Sequence, residues 1–274
     1  MLHYKELARG NLIRLMAPKL RSGAFTLRSS DQRFVANVAF LWETPWIHTN
    51  SSYKINCYLW KDITYHEIIE KTLPRSAWFA PAGCQDCFKV VVRPKTLKQL
   101  FALYELQKRM NLPSKCGIET RDTVFGNYGG YFYNRGLENG LECYKKVRAE
   151  IDADPILGPD VKVLLKRACT EMEHGIGPSD KWELTRGQLD FEIKLKDHFV
   201  DDIPLCKQNQ EAKDYVKLRW VERAFSVGDE TALEFNGGEP LHPEYVTYHH
   251  LLGQYETEKK EAQENKNNEE KQNA

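Results

Sequence analysis

Residues 88–94, FKVVVRP, are a short run of β-branched side chains closed by a proline, the pattern of a buried strand. Thr96 stands where a helix cap belongs, and Leu97, Leu100, Phe101 and Tyr104 recur at helical spacing through residue 111. SKCGIETR at 114–121 and NYGGYFYN at 127–134 read as two more strands joined by a short polar turn. Over 136–153, Leu137, Leu141, Tyr144 and Ile151 trace one face of a second helix, and PDVKVLLKRAC at 159–169 reads as a fourth strand.

Strand, helix, strand, strand, helix, strand is the split βαβ order of ferredoxin-like folds, so the pattern predicts an α+β protein built on such a unit. Its strands are expected in the spatial order fourth, first, third, second, all neighbours antiparallel. Upstream, residues 3–22 predict a basic amphipathic helix. An aromatic stretch from Phe34 to Trp60 then suggests short strands broken by turns. Downstream, residues 179–199 predict a helix capped by Ser179 or Asp180, and 211–226 predict another. Residues 256–274 carry no apolar side chain larger than alanine and predict disorder. The expected division is a basic, aromatic-rich segment at 1–83, the ferredoxin-like unit at 84–175, a helical region at 176–255 and the tail.

Charge changes this picture in one respect. The chain is neutral overall, but residues 1–115 hold 18 Lys and Arg against 8 Asp and Glu, and the remainder holds 21 against 31. A basic half with interleaved aromatics suits single-stranded nucleic acid; Arg28, Arg33, Lys54 and Lys61 interleave with the rings as candidate phosphate contacts, and Arg9 and Arg14 extend the basic stretch upstream. No stretch is apolar enough for a membrane span and the N-terminus lacks a signal peptide's apolar core, so the expected location is cytoplasmic, away from membranes.

The seven cysteines are an odd number, which in a reducing compartment favours metal binding or burial over a complete disulfide framework. Cys84 and Cys87 form a CxxC just before the first strand of the unit, Cys116 opens the second, and Cys169 ends the fourth. The expected topology gathers them at one end of the sheet, where four thiolates would suit a [4Fe-4S] cluster or Zn2+. Glu173 and His174 are possible substitutes for Cys116. A thioredoxin-type dithiol is the rival reading, but such sites follow a strand and this pair precedes one. Cys143 reads as core, and Cys57 and Cys206 have no evident partner.

Glu119 and Arg121, Arg135, Lys166 and Arg167, and then Glu171, Glu173 and His174 make a polar group expected near the cysteine end. Glu119, Arg121, Arg167, Glu171 and His174 are the catalytic candidates if the protein is an enzyme. Tyr131 and Tyr133 would share one face of the third strand. YGGYFY resembles the third-strand signature of RNA-recognition motifs, though its glycine and aromatic positions do not align with it. Gly237 to Leu241, GGEPL, resembles the segment with which radical SAM enzymes hold their cofactor. That family also requires CxxxCxxC, and Ala80 stands where its first cysteine would be, so the stretch reads as a glycine-rich turn. Together these features favour a Cys-ligated metal protein that binds or processes nucleic acid; the alternatives are a metalloenzyme acting on a small molecule and a structural metal-binding adaptor.

Overall fold

The structure, a computed structural model, describes residues 9–37, 45–50, 58–200, 208–242 and 245–272. Cys57 and Cys206, and the aromatics of 38–44 and 51–57, lie outside the described residues. Helix α1 (Arg9–Arg21) leads into a two-stranded ribbon, β1 (Phe25–Leu27) against β2 (Phe34–Ala36). Strand β3 (Trp46–Thr49) precedes α2 (Tyr58–Ile69), which is wound as a π-helix and continues α-helically over Glu70–Thr72. The aromatic spacing at Tyr58 and Trp60 had suggested strand; both residues are helical instead. The short α3 (Ala82–Gln85) follows.

The central unit is β4 (Cys87–Arg93), α4 (Leu97–Met110), β5 (Ser114–Ile118), β6 (Tyr128–Arg135), α5 (Leu137–Ala153) and β7 (Lys162–Arg167). Thr96 caps α4, its side chain accepting from the Gln99 N–H, as the sequence indicates. Among the described residues one antiparallel sheet runs β3-β5-β6-β4-β7. The four strands of the central unit therefore lie in the expected order, and the protein is α+β. Strand β3 is an addition: it covers the edge that β5 would otherwise expose. The Gln208 side chain in turn accepts from the His48 N–H and donates to the Trp46 carbonyl. Gly117 permits this pairing, because a Cβ there would overlap the Pro45 carbonyl.

Alternation divides the sheet. Val90, Val92, Cys116, Ile118, Tyr128 and Phe132 face the main core, against Leu100 and Leu103 of α4 and Val147 and Ile151 of α5. Helix α8 (Gln210–Ser226) closes that core with Trp220, whose indole N–H donates to the Pro45 carbonyl at 2.7 Å. A second core joins Leu12, Met16, Phe25 and Phe34 to Phe191, Leu195 and Phe199, so the N-terminal segment packs against α7 (Arg186–Lys196). The cap of α7 is Thr185; Ser179 and Asp180 instead begin a separate 3-10 turn. Between β7 and that turn lies α6 (Thr170–Ile176). The tail expected to be disordered is helical through Gln272, in helix α9 (His249–Gln272), in keeping with its content of the helix formers Glu, Lys, Gln and Ala. Among the described residues no helix is long and apolar enough to cross a membrane.

Candidate functional site

The four cysteines assigned to one metal do not converge. Cys87 pairs with Arg135, whereas Cys116 pairs with Gly130, which lies opposite Val92. Five residues of strand, about 17 Å, and two strand spacings, about 10 Å, separate those positions. Cys116 also faces the main core, fully buried beside Ile47 and Gly130, and burial pushes its thiol well above the ordinary range. The expectation failed on register: β5 meets β6 so that Ser114 lies opposite Phe132, which carries β5 toward the far end of the sheet. Cys84, Cys87 and Cys169 do share the near end, where the Ala168 N–H donates to the Cys87 carbonyl, and Cys84 and Cys169 enter one small apolar cluster. Among the described residues no group of three or more His, Cys, Asp or Glu is arranged to hold a metal ion. Cys143 is core, as its position on α5 suggests.

The chemistry gathers on the other, outer face of the sheet. Lys166, Lys89 and Tyr133 lie side by side across β7, β4 and β6, and Leu164, Val91, Tyr131 and Lys115 form the next row. At the cysteine end this face is closed by α2 and α6: Lys61 of α2 pairs with Glu171 of α6 at 2.8 Å, and Lys166 lies 3.7 Å from Glu173 and donates to Thr170 Oγ1. Lys89 is buried, 6% exposed, and its Nζ donates to Cys169 Sγ at 2.8 Å. Burial and the neighbouring Lys89 lower the Lys166 ammonium from its usual range. Burial alone would raise the Glu171 carboxyl, but Lys61 outweighs it and holds the group down at about 2. One Glu171 oxygen, Oε2, is nevertheless buried without a hydrogen bond among the described residues.

Further along the same face, Glu119 and Arg121, expected along the second strand, lie just past its end at Ile118 and still pair. Arg121 makes two bonds to the Glu119 carboxylate, at 2.7 and 2.6 Å, and Tyr131 donates to it at 2.6 Å. The Glu119 side chain is fully buried; burial would raise its carboxyl, yet the bonds from Arg121 and Tyr131 keep it below the usual value. Burial pushes the Tyr131 hydroxyl up to about 12. Cations crowd these rings: Arg93 and Arg121 lie 5.7 and 5.5 Å from the Tyr131 centroid, Lys115 lies 4.1 Å from that of Trp46, and Lys89 lies 5.7 Å from that of Tyr133.

Other candidates serve the fold. Arg167 turns away from this group; it donates to the carbonyls of Gln85 and Ser179 and packs over Phe88 and Trp182, clamping β7 to α3 and the following turn. His174 is exposed on the last turn of α6. Arg135 stacks on Trp60, whose indole lies on Gly83, where a Cβ would overlap it. Arg28 pairs with Asp31 and Arg33 donates to the Phe199 carbonyl, so these two of the expected N-terminal phosphate contacts already have intramolecular partners; Lys54 lies outside the described residues. Phe25 and Phe34 are core residues and present no ring for stacking. The GGEP stretch is a turn, with Gly237 and Gly238 at φ 67° and 89°. Lys89, Arg93 and Lys115 are the site residues that the sequence pattern did not assemble, whereas Lys61 was a candidate phosphate contact; the alternation of 87, 89, 91 and 93 is the signal that places Lys89 and Arg93 on one face.

Beside this group, Trp60, Leu189, Ile193 and Phe199 line an apolar cavity of about 190 Å³ between α2, α3 and α7. Its one carboxylate, Glu192, is raised by burial and accepts from the Ala82 N–H and Gln188. Comparison with protein-family models, with curated proteins and with solved structures finds no match to this chain.

Proposed function

We propose that the chain is a ferredoxin-like module that binds single-stranded nucleic acid on the outer face of its sheet. The observation that carries this reading is the content of that face: Lys61, Lys89, Arg93, Lys115, Arg121 and Lys166 against Glu119, Glu171 and Glu173, interleaved with Trp46, Tyr131 and Tyr133. An excess of cations attracts phosphates, and aromatic rings held on strands stack with bases. Tyr131 and Trp46 are each only 5% exposed, which leaves the half-buried Tyr133 as the stacking ring and the other two as supports for the cations. This reading moves the contacts away from Arg28 and Arg33. It treats Cys84, Cys87 and Cys169 as packed thiols rather than parts of a four-thiolate centre.

A titration of labelled single-stranded RNA and DNA at low and moderate salt tests it. Expected are binding that weakens steeply with salt and loss of affinity in Arg93→Ala and Tyr133→Ala but not in Arg28→Ala. Absence of binding at low salt overturns the reading. The enclosure of Lys61, Lys89 and Lys166 under α2 and α6 favours a second reading, a compact phosphate-bearing small molecule held at that end alone. In that case mononucleotides would compete as well as oligonucleotides, and Arg93→Ala would leave affinity unchanged.

A further inference from the structure

Cys169 ends the loop after β7 at the N-terminus of α6, with its side chain 6% exposed, and the Lys89 amine reaches it from β4 across the sheet. The Nζ to Sγ separation is 2.8 Å, a close sulfur hydrogen bond, with Lys89 fixed in β4 and Cys169 at the N-cap of α6. Lys89 sits directly opposite Lys166 in the β4–β7 ladder, so a second cation borders the same thiol, and Cys169 follows only two residues beyond the end of β7. Burial has a chemical consequence here. Hydrogen peroxide is close to water in size and can reach such a sulfur, whereas a glutathione-sized thiol cannot, so a sulfenic acid formed at Cys169 would meet the Lys89 amine before it met an external thiol.

We propose that Lys89 and Cys169 form a modification site, an oxidant-driven sulfenamide crosslink between β4 and the start of α6. Peroxide oxidises the thiol by two electrons: the O–O bond breaks, one oxygen is transferred to Sγ to give Cys169–SOH, and the other leaves as water. The lone pair of Lys89 Nζ then attacks Sγ and the S–O bond breaks. The departing hydroxide takes a proton from nitrogen and leaves as a second water. The product is Lys89–NH–Sγ–Cys169, two hydrogens lighter than the starting pair, and a thiol reductant that attacks the sulfur returns both side chains. This site is independent of the nucleic-acid reading, since it rests on the Lys89–Cys169 contact alone.

The test is peptide mapping of the full chain after brief treatment with hydrogen peroxide, blocking of free thiols with an alkylating reagent, and trypsin digestion. Expected is a linked pair of peptides joining Lys89 to Cys169, lighter by two hydrogens than their sum, with loss of tryptic cleavage after Lys89; adding dithiothreitol to the digest, where the sulfur is no longer buried, releases both peptides. In Lys89→Arg, which keeps the positive charge and is checked for native circular dichroism, the link is absent and Cys169 proceeds to sulfinic acid. Recovery of wild-type Cys169 as alkylated thiol, as sulfinic acid, or in a disulfide with Cys84 or Cys87, with Lys89 cleaved normally, overturns the proposal.

Discussion

The two faces of the sheet come from the same strands yet differ in almost every property. On β4, Val90 and Val92 enter the core under α4 and α5 and Phe88 lies against Gly140 of α5, whereas 87, 89, 91 and 93 face the other way and contribute a thiol, a lysine, a valine and an arginine. On β6, Phe132 points in while Tyr131 and Tyr133 point out. The inner face is sealed by apolar contact, and its one hydrogen-bonded indole ties α8 to the start of β3. Ion pairs and cation–ring contacts organise the outer face, so its charges are costly to bury and are kept only where a partner holds them. The contrast teaches that stability and chemistry are divided by a two-residue period. Substitutions one position apart on a strand should then have different kinds of effect.

The largest expected effect is on the inner face. Trp220→Ala removes a fully buried indole packed edge-on against Phe101 and Tyr104, and it should cost about 3–5 kcal/mol in urea unfolding. If an outer-face change such as Tyr133→Ala cost as much, the division would be wrong. Next is the acid response of the outer face. Because the folded Glu171 carboxyl sits near 2, below its unfolded value, its stabilisation is fully present above about pH 4.5 and fades as pH falls through about 2. Lys61→Met should remove on the order of 2 kcal/mol at pH 7, and the gap should close only as pH falls below about 2, where Glu171 becomes protonated in both proteins. Unfolding curves at several pH values measure the gap, and a gap independent of pH would show that Lys61 acts by packing.

A smaller effect separates binding from folding. Tyr133→Ala should weaken single-stranded RNA about tenfold, the loss of one stacking contact, while moving stability by less than about 1 kcal/mol. Equal losses in affinity and stability would merge the two faces again. Smallest is Cys116→Ala, expected to cost about 1 kcal/mol for one buried sulfur on the inner face and to leave any metal content of the purified protein unchanged. A change in metal content would place Cys116 at a site that its register denies it.

Much of this was legible beforehand, because it is written in short periods. The β-branched run at 88–94, the Thr96 cap, the helical spacing of Leu97, Leu100 and Tyr104, and the alternation linking Glu119 to Arg121 and Tyr131 to Tyr133 each depend on residues within one or two turns of one another. The order of those elements limits how the strands can pair, which is why β7 beside β4 could be expected. The π-helix at 58–69 was not legible, since aromatic and β-branched residues there are equally consistent with strand until packing decides.

What the sequence by itself determined is therefore local: which stretches are helix or strand, which residues share a face, and that charge is segregated along the chain. Only the tertiary structure decided that Cys116 lies at the far end from Cys87, that β3 completes the sheet, that Arg28 and Arg33 are already engaged, and that Lys89 meets Cys169. The physical reason is that a strand's own pattern specifies which side faces the core but not how far it slides along its neighbour by an even number of residues. That offset is set by the pairing of β5 with β6 and by what packs on both, and it is the offset that brings groups distant in sequence together or keeps them apart.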